Sequence, residues 1–311
     1  MAAVVTLTLN PAVDVSSAVA RIVPAHKLRC RDVRHDPGGG GINVARVLRR
    51  LDAQTHAIFT SGGPMGELLQ RLVLREDVPF TAIPIGGDTR EDFMVFDESD
   101  RSQYRFVLPG PELSSAELEA CLAAVARQAA PAGFVVASGS LPPGAPRDAY
   151  RRVTSMVPEG MRFVLDTSGE ALAQALGPGV ALIKPSRREL ADLVGTPLSD
   201  RNACVIAARR LIELGRSEMV AVSLGEEGAI LVGPGFGYDA LAPSVATVST
   251  TGAGDSFLAA LIWSLARGEK PDQALRWAVA AGSAALMVPG TDLCHRADVQ
   301  ELMKRVDVRA I

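Results

Sequence analysis

Histidine and cysteine are scarce in this chain. Its four cysteines, Cys30, Cys121, Cys204 and Cys294, stand far apart, with no CxxC pair and no histidine at zinc-ligand spacing. That argues against a structural zinc site or a disulfide framework and suits a reducing cytosol. The four histidines, His26, His35, His56 and His295, form no ligand cluster and adjoin no nucleophile. A Ser/His/Asp hydrolase would need a GxSxG elbow, which is missing. No GxxxxGK[ST] run occurs, so a P-loop NTPase is also out. Basic runs are absent as well. With a net charge of −3, neither nucleic acid nor an anionic membrane surface is an expected partner. The opening run, Met1 to Leu9, has no basic residue and is too short to span a membrane, so it reads as a buried first strand rather than a signal peptide.

What is present is ample for a globular core. The 311 residues are 48% hydrophobic and 22% charged, which bounds the chain to one large domain, or a domain with an insertion. Val4 to Leu9 is β-rich and ends at Asn10-Pro11. Apolar residues at 44, 47, 48 and 51 recur at the helical period, and His56 to Phe59 and Gly66 to Leu74 follow as strand and helix. From Pro111 onward strands and helices alternate. Strands are expected near 134–138, 162–166, 180–183 and 219–223, with edge strands at 228–232 and 238–241. The last helices are expected at 255–267, 271–287 and 297–305. Apolar strands alternating with helices predict an α/β fold with a mainly parallel sheet covered on both faces. Two stretches depart from this pattern. Residues 15–36 are short and mixed, and 90–107 reads as a hairpin around Asp97-Glu98-Ser99-Asp100. Together they predict a small β lid inserted twice into a single domain spanning 1–311.

Several polar or glycine-rich loops fall at predicted strand ends. The first is Ser249-Thr250-Thr251-Gly252-Ala253-Gly254-Asp255, feeding an apolar helix. A helix N-terminus offers unpaired N–H groups and the positive end of its dipole. Glycines let an anion approach the backbone closely. The run therefore suits a phosphate nest with Asp255 as a base at its edge, although a plain capped glycine loop has the same residues. The second is the tetraglycine at 38–41, with Asn43 in the following helix's first turn. A dinucleotide fingerprint would need glycine or alanine where Asn43 stands, which disfavours a dehydrogenase. Asp14, just past the first strand, could take two sugar hydroxyls or serve as a turn aspartate. Arg90 and Arg105 in the lid could clamp a phosphate or simply protect strand edges. Ser138-Gly139-Ser140, Lys184-Pro185-Ser186 and Ser223-Leu224-Gly225 end three further strands. Glu189 could organise Mg²⁺ through water or serve as a helix N-terminal acid.

Two of these runs carry a resemblance. Gly-Gly-Gly-Gly-Ile-Asn-Val-Ala-Arg at 38–46 and Thr-Gly-Ala-Gly-Asp at 251–255 resemble the paired signatures of the PfkB, or ribokinase-like, carbohydrate kinases. The likeness runs from Thr-Leu-Asn-Pro-Ala-Val-Asp at 8–14 to Gly290–Cys294. It implies a ribokinase-like three-layer αβα fold with a β lid, and an ATP-dependent sugar-phosphate kinase. Lys-Leu-Arg-Cys at 27–30, Gln-Tyr-Arg-Phe-Val at 103–107 and the absence of lysine within the glycine run look most like the family branch that phosphorylates fructose 6-phosphate at C1. Kinases of fructose 1-phosphate or tagatose 6-phosphate are the near alternatives, and a sugar-phosphate- or nucleotide-binding regulator with impaired catalysis is a further one.

The resemblance also implies roles. Asp255 would be the base, and Gly252, Ala253 and Gly254 would hold the transferring phosphoryl group. Asp14, Gly39, Gly40 and Asn43 would grip the sugar, and Arg90, Arg105 and Ser140 its phosphate. Lys27, Lys184, Ser186, Ser223, Gly225, Gly228 and Ser283 would frame ATP, with Lys27 reaching across a homodimer formed through the lid. Glu189 would hold Mg²⁺ through water. A K⁺ site would involve Ser249, Thr251, Ala285, Val288, Gly290 and Asp292. Two departures from the family pattern stand out: Ser186 replaces an asparagine ahead of Glu189, and Ser249 replaces a frequent aspartate.

Overall fold

The computed structural model describes residues 3–129 and 133–311, so Met1 and Ala2 of the opening run lie outside the described residues. The chain begins with β1 (Val4–Thr8), β2 (Ala12–Val19), β3 (Arg31–Gly38), α1 (Gly40–Arg50), β4 (Thr55–Ser61), α2 (Gly63–Arg75) and β5 (Phe80–Pro84). Next come β6 (Arg90–Asp97), β7 (Gln103–Val107), α3 (Ser115–Gln128), β8 (Phe134–Ser138), α4 (Ala149–Met156), β9 (Arg162–Asp166), α5 (Gly169–Ala175) and β10 (Val180–Ile183). It continues with α6 (Arg187–Val194), α7 (Arg201–Glu213), β11 (Met219–Ser223), β12 (Ala229–Gly233) and β13 (Phe236–Leu241). It closes with α8 (Ala253–Ala266), α9 (Pro271–Ala285), α10 (Arg296–Met303) and β14 (Asp307–Ala310).

Ten strands make one sheet in the order β14-β13-β12-β11-β10-β9-β8-β1-β4-β5. The run from β11 to β5 is parallel, and β12, β13 and β14 add on antiparallel. Helices cover both faces, as a parallel sheet requires. One face packs α1, α8, α9 and α10 around residues such as Leu48, Val136, Leu182 and Leu261. The other packs α3 to α7 around Leu7, Val135, Phe163 and Val220. A third cluster, including Val13, Ile42, Phe59 and Leu69, joins α2 and α1 to β4 and to a second sheet. These layers form the αβα sandwich expected from the sequence, with the small sheet beside it.

The second sheet has four strands in the order β3-β2-β6-β7. The 97–100 hairpin forms as expected, with β6 and β7 antiparallel. Asp14, however, is not in a loop after β1. It lies within β2, in register with Asp36 on β3 and Asp92 on β6. Strand β2 starts earlier than residue 15, so the carboxylate is fixed by a ladder on both sides.

Two strands escaped the sequence pattern. β5 is flanked by Pro79 and ends on Pro84, so it carries little alternation. β14 is mostly exposed and only four residues long, so the alternation that sets Val308 against the core is too short to read, and β13 offers it an edge. It follows that β12 and β13 are interior strands, not edges.

β1 lies between β4 and β8, although the chain visits β4 and β5 before returning to β8. That reversal is a topological switch point, where loops from neighbouring strands diverge and leave a crevice at their carboxyl ends.

Candidate active site

The crevice is closed from above by the first turn of α8. Gly252 caps this helix in the left-handed region, with φ 76°, and no side chain bonds to its leading amides. The N–H groups of Ala253, Gly254 and Asp255 are thus left for a ligand or water. Behind them α8 is apolar and buried from Ser256 to Ser264, which fixes the helix end against the core.

Two cavities meet at this turn. One, of about 360 Å³, is polar and lies over the switch point. Its walls include Asp14, Gly39, Gly40 and Asn43 from β2 and the start of α1, together with Arg90, Arg105 and Ser140. Asp166, Gly252, Gly254, Asp255 and Glu189 also line it. The other, of about 680 Å³, lies between α8, α9 and the loop after β11. Ser223, Gly225, Gly228, Ala253 and Ser283 line it, as do the apolar Val245, Phe257 and Val279. Gly254 borders both.

The glycines are there for contact distance. A Cβ on Gly40 would collide with the Ser138 hydroxyl, and one on Gly228, with φ 105°, would strike the Ala240 carbonyl. A Cβ on Gly254 would stand 3.4 Å from Lys184 Nζ, which places that ammonium beside the α8 amides.

Charge is concentrated in the polar cavity. Asn43 Nδ2 donates to Asp255 Oδ2 at 2.9 Å. Lys184 Nζ lies 3.1 Å from Asp166 Oδ1. The Asp255 carboxyl is pushed up to about 6 by burial and by Asp166, against the pull of Asn43, Lys184 and Arg105. Asp14 is pushed up to about 7 by burial and by Asp92, with Arg105 and Arg46 opposing. Burial disfavours the Lys184 cation, but Asp166 outweighs that and its value is raised. Arg90 is tied down by Asp92 Oδ1 at 2.9 Å, Leu108 O at 2.9 Å and Asn10 O at 3.3 Å. Asn10 in turn donates to Ser140 at 3.1 Å. Arg105 is exposed and reaches over the cavity from β7.

Other expected positions fall differently. Ser186 caps α6 in a reciprocal box: its N–H donates to Glu189 Oε2 at 2.8 Å, and its hydroxyl accepts from Glu189 N at 3.2 Å. Glu189 is therefore both a cap and a cavity wall. Lys27 is exposed in the β2–β3 connection and borders neither cavity. Around Ser249, the main chain at 248–249 bonds to Leu286 O, and the Ser249 hydroxyl donates to Gly290 O at 3.2 Å. This brings 249–251 and 285–290 side by side. The carbonyls of Thr251, Ala285 and Val288 accept no hydrogen bond from the described residues. The Asp292 carbonyl accepts from Arg50 Nη1, and its carboxylate faces Arg50 and His295, each at 3.6 Å. Among the described residues no group of three or more His, Cys, Asp or Glu could hold a metal, and no helix is long and apolar enough to cross a membrane.

Sequence reasoning missed Asp166 and Arg46. Asp166 ends β9 at the same sheet edge as the other site loops, so its position at a strand's carboxyl end was a usable signal. Arg46 lies on the face of α1 opposite the apolar stripe at 44, 47, 48 and 51, where an arginine reads as a solvent-facing residue.

Residues 2–298 match the pfkB family carbohydrate kinases. A Mycobacterium tuberculosis protein named ATP-dependent 6-phosphofructokinase isozyme 2 is 44% identical over 302 residues, covering 97% of this chain and 89% of that protein. The crystal structure of the Escherichia coli phosphofructokinase-2 in complex with fructose-6-phosphate superposes with a TM-score of 0.92 at 36% identity, covering 98% of this chain and 99% of the other. The same enzyme in complex with potassium gives 0.93 at 37% identity, with the same coverage. This chain belongs to the pfkB family of carbohydrate kinases.

Proposed function

We propose that the chain transfers the γ-phosphoryl group of ATP to the C1 hydroxyl of fructose 6-phosphate, giving fructose 1,6-bisphosphate and ADP. The observation that carries this reading is the α8 N-terminus. It separates a large, apolar-walled cavity from a polar, charged one, with Gly254 on both and Asp255 on the polar side. A nucleotide in the first and a sugar phosphate in the second would meet at the amides of 253–255.

Phosphoryl transfer needs alignment, charge neutralisation and an acceptor for the hydroxyl proton. The unpaired amides and the Lys184 ammonium supply positive potential where charge develops. Asp255, ionised above about pH 6, takes the proton. Asp14, Asn43 and the Gly39-Gly40 backbone hold the sugar ring, and Arg105, Arg90 and Ser140 meet its phosphate. The small sheet carries Asp14, Arg90 and Arg105, so it acts as a lid whose closure orders the substrate and excludes water. The whole chain then works as one unit.

Mg²⁺ is accommodated rather than caged. It favours few direct protein ligands, and Glu189 keeps one carboxylate oxygen free of the cap it makes through Oε2. When bound, the ion supplies charge neutralisation on the phosphates. The free carbonyls of Thr251, Ala285 and Val288 suit a monovalent cation, whereas the Asp292 carbonyl already accepts from Arg50.

Val33, Phe106 and Val107 are more than half exposed on the small sheet. They support a homodimer formed through it, which sedimentation showing only monomer would rule out.

The deciding experiment is ADP release measured in parallel with fructose 6-phosphate, fructose 1-phosphate and tagatose 6-phosphate. Turnover fastest with the first is expected, and no release with any of them would overturn the reading.

A further inference from the structure

Arg46 is the largest fully buried side chain in the protein, 1% exposed, and the mechanism above does not use it. It lies on α1, one turn after Asn43. Its Nη1 donates to Asn43 Oδ1 at 3.1 Å, to Thr291 O at 2.9 Å and to Pro37 O at 3.3 Å. Its Nη2 donates to Glu76 Oε1 at 2.6 Å. Glu76 is held from its other oxygen by Arg50 at 3.1 Å. The guanidinium therefore binds the end of β3, α1, the residue after α2 and the loop at 291 into one buried knot.

Asn43 faces two charged groups of opposite demand. An asparagine amide has a donor end and an acceptor end, and either can point either way. A guanidinium only donates and stays protonated at any physiological pH. With Arg46 on one side, the amide oxygen must turn towards it. The NH₂ group is then left facing Asp255.

We infer that Arg46 is a positioning residue for phosphoryl transfer, holding the Asn43 amide in the orientation that donates to Asp255. The inference rests on Asp255 being the base. Without Arg46 the amide is free to flip. Its oxygen would then face the carboxylate, and the two acceptors would push Asp255 out of line with the sugar hydroxyl. Replacing a buried ionic knot with apolar groups often costs little stability, so packing alone gives no reason for arginine at this place.

The test is a double-mutant cycle of Arg46→Met with Asn43→Leu, read as kcat for ADP release with fructose 6-phosphate and saturating ATP. In the otherwise unaltered enzyme Arg46→Met is expected to lower kcat by about tenfold or more, as small misplacements do. In the Asn43→Leu background, where no amide remains to orient, the same change is expected to cost about twofold or less. An equal loss in both backgrounds, or an unaltered kcat in Arg46→Met, overturns the inference. If Arg46→Met does not fold, Arg46→Gln fills much of the same space with a group that can accept as well as donate, so it no longer dictates which end of the Asn43 amide faces it. Coupling below about twofold in that cycle overturns it equally. Asp255→Asn separates the two claims. Full turnover in that variant defeats the base assignment, whereas its inactivity together with an additive cycle defeats only the role of Arg46.

Discussion

The Lys184 ammonium and the Asp166 carboxylate stand 3.1 Å apart at the carboxyl ends of adjacent parallel strands, both largely buried. Ser138 also donates to Asp166, at 3.2 Å. The pair brings a cation to the α8 amides and holds it there, while adding negative charge near Asp255. Asp166→Asn should therefore separate two effects. It removes a like charge that raises Asp255, so the acid limb of the kcat profile should move to lower pH. It also leaves Lys184 buried with a weaker partner. Asp166→Ala, which leaves no partner, should cost about 3 kcal/mol of stability by urea unfolding near pH 7. An acid limb that stays in place or moves upward would contradict the charge argument.

Asp255→Asn should lower kcat by several orders of magnitude while changing sugar affinity only a few-fold. Its stability should carry a pH signature. The carboxyl is raised from 3.8 to about 6, so its contribution is present in full below pH 4 and fades as pH rises through 6. An asparagine cannot ionise. The variant should match the parent near pH 4 and be more stable at pH 8, by up to roughly 3 kcal/mol. Thermal melts at the two pH values check this.

Gly40→Ala would drive a methyl group into Ser138, whose Cβ lies 3.1 Å and whose carbonyl carbon 3.2 Å from the added atom. Overpacking of this kind costs roughly 1–3 kcal/mol. Because the strain falls on the sugar side of the crevice, KM for the sugar phosphate should rise more than KM for ATP. Gly40→Ala combined with Ser138→Gly should recover part of the stability, and absence of any recovery would place the strain elsewhere.

Gly228→Ala probes the other cavity. The residue has φ 105° and faces the Ala240 carbonyl, so alanine must shift the loop that borders the larger cavity. KM for ATP should rise several-fold with little change in KM for the sugar phosphate. The reverse pattern would mean that the two substrates occupy the cavities in the opposite sense.

The parts of this site that could be read from the chain are those whose chemistry is local. Gly252 to Asp255 opens a helix, Asn43 occupies a first turn, and each declares itself through its own neighbours. Ser138, Lys184 and Ser223 follow from strand periodicity, because loops at carboxyl ends of parallel strands converge. Asp14 was legible as a carboxylate at a strand end, where the structure sets it in the polar cavity, but not as a strand residue, since its ladder partners Asp36 and Asp92 are distant in sequence. Arg46 was illegible for a related reason. Its partners at 76 and 291 are supplied by the fold, and nothing near residue 46 predicts them. β14 belongs to the same class, a segment too short to show a pattern that becomes a strand by completing another.

The bond from Asn43 to Asp255 joins residues 212 positions apart. Its consequence lies in biogenesis. A nascent chain can close β1, α1 and β4 early, but the acceptor carboxylate and the amides beside it emerge with α8, after most of the sheet has been made. Contacts of such long range form late and slowly. No shorter growing chain should transfer phosphate, so regain of activity after dilution from denaturant should time the docking of α8 against α1, not the formation of the sheet.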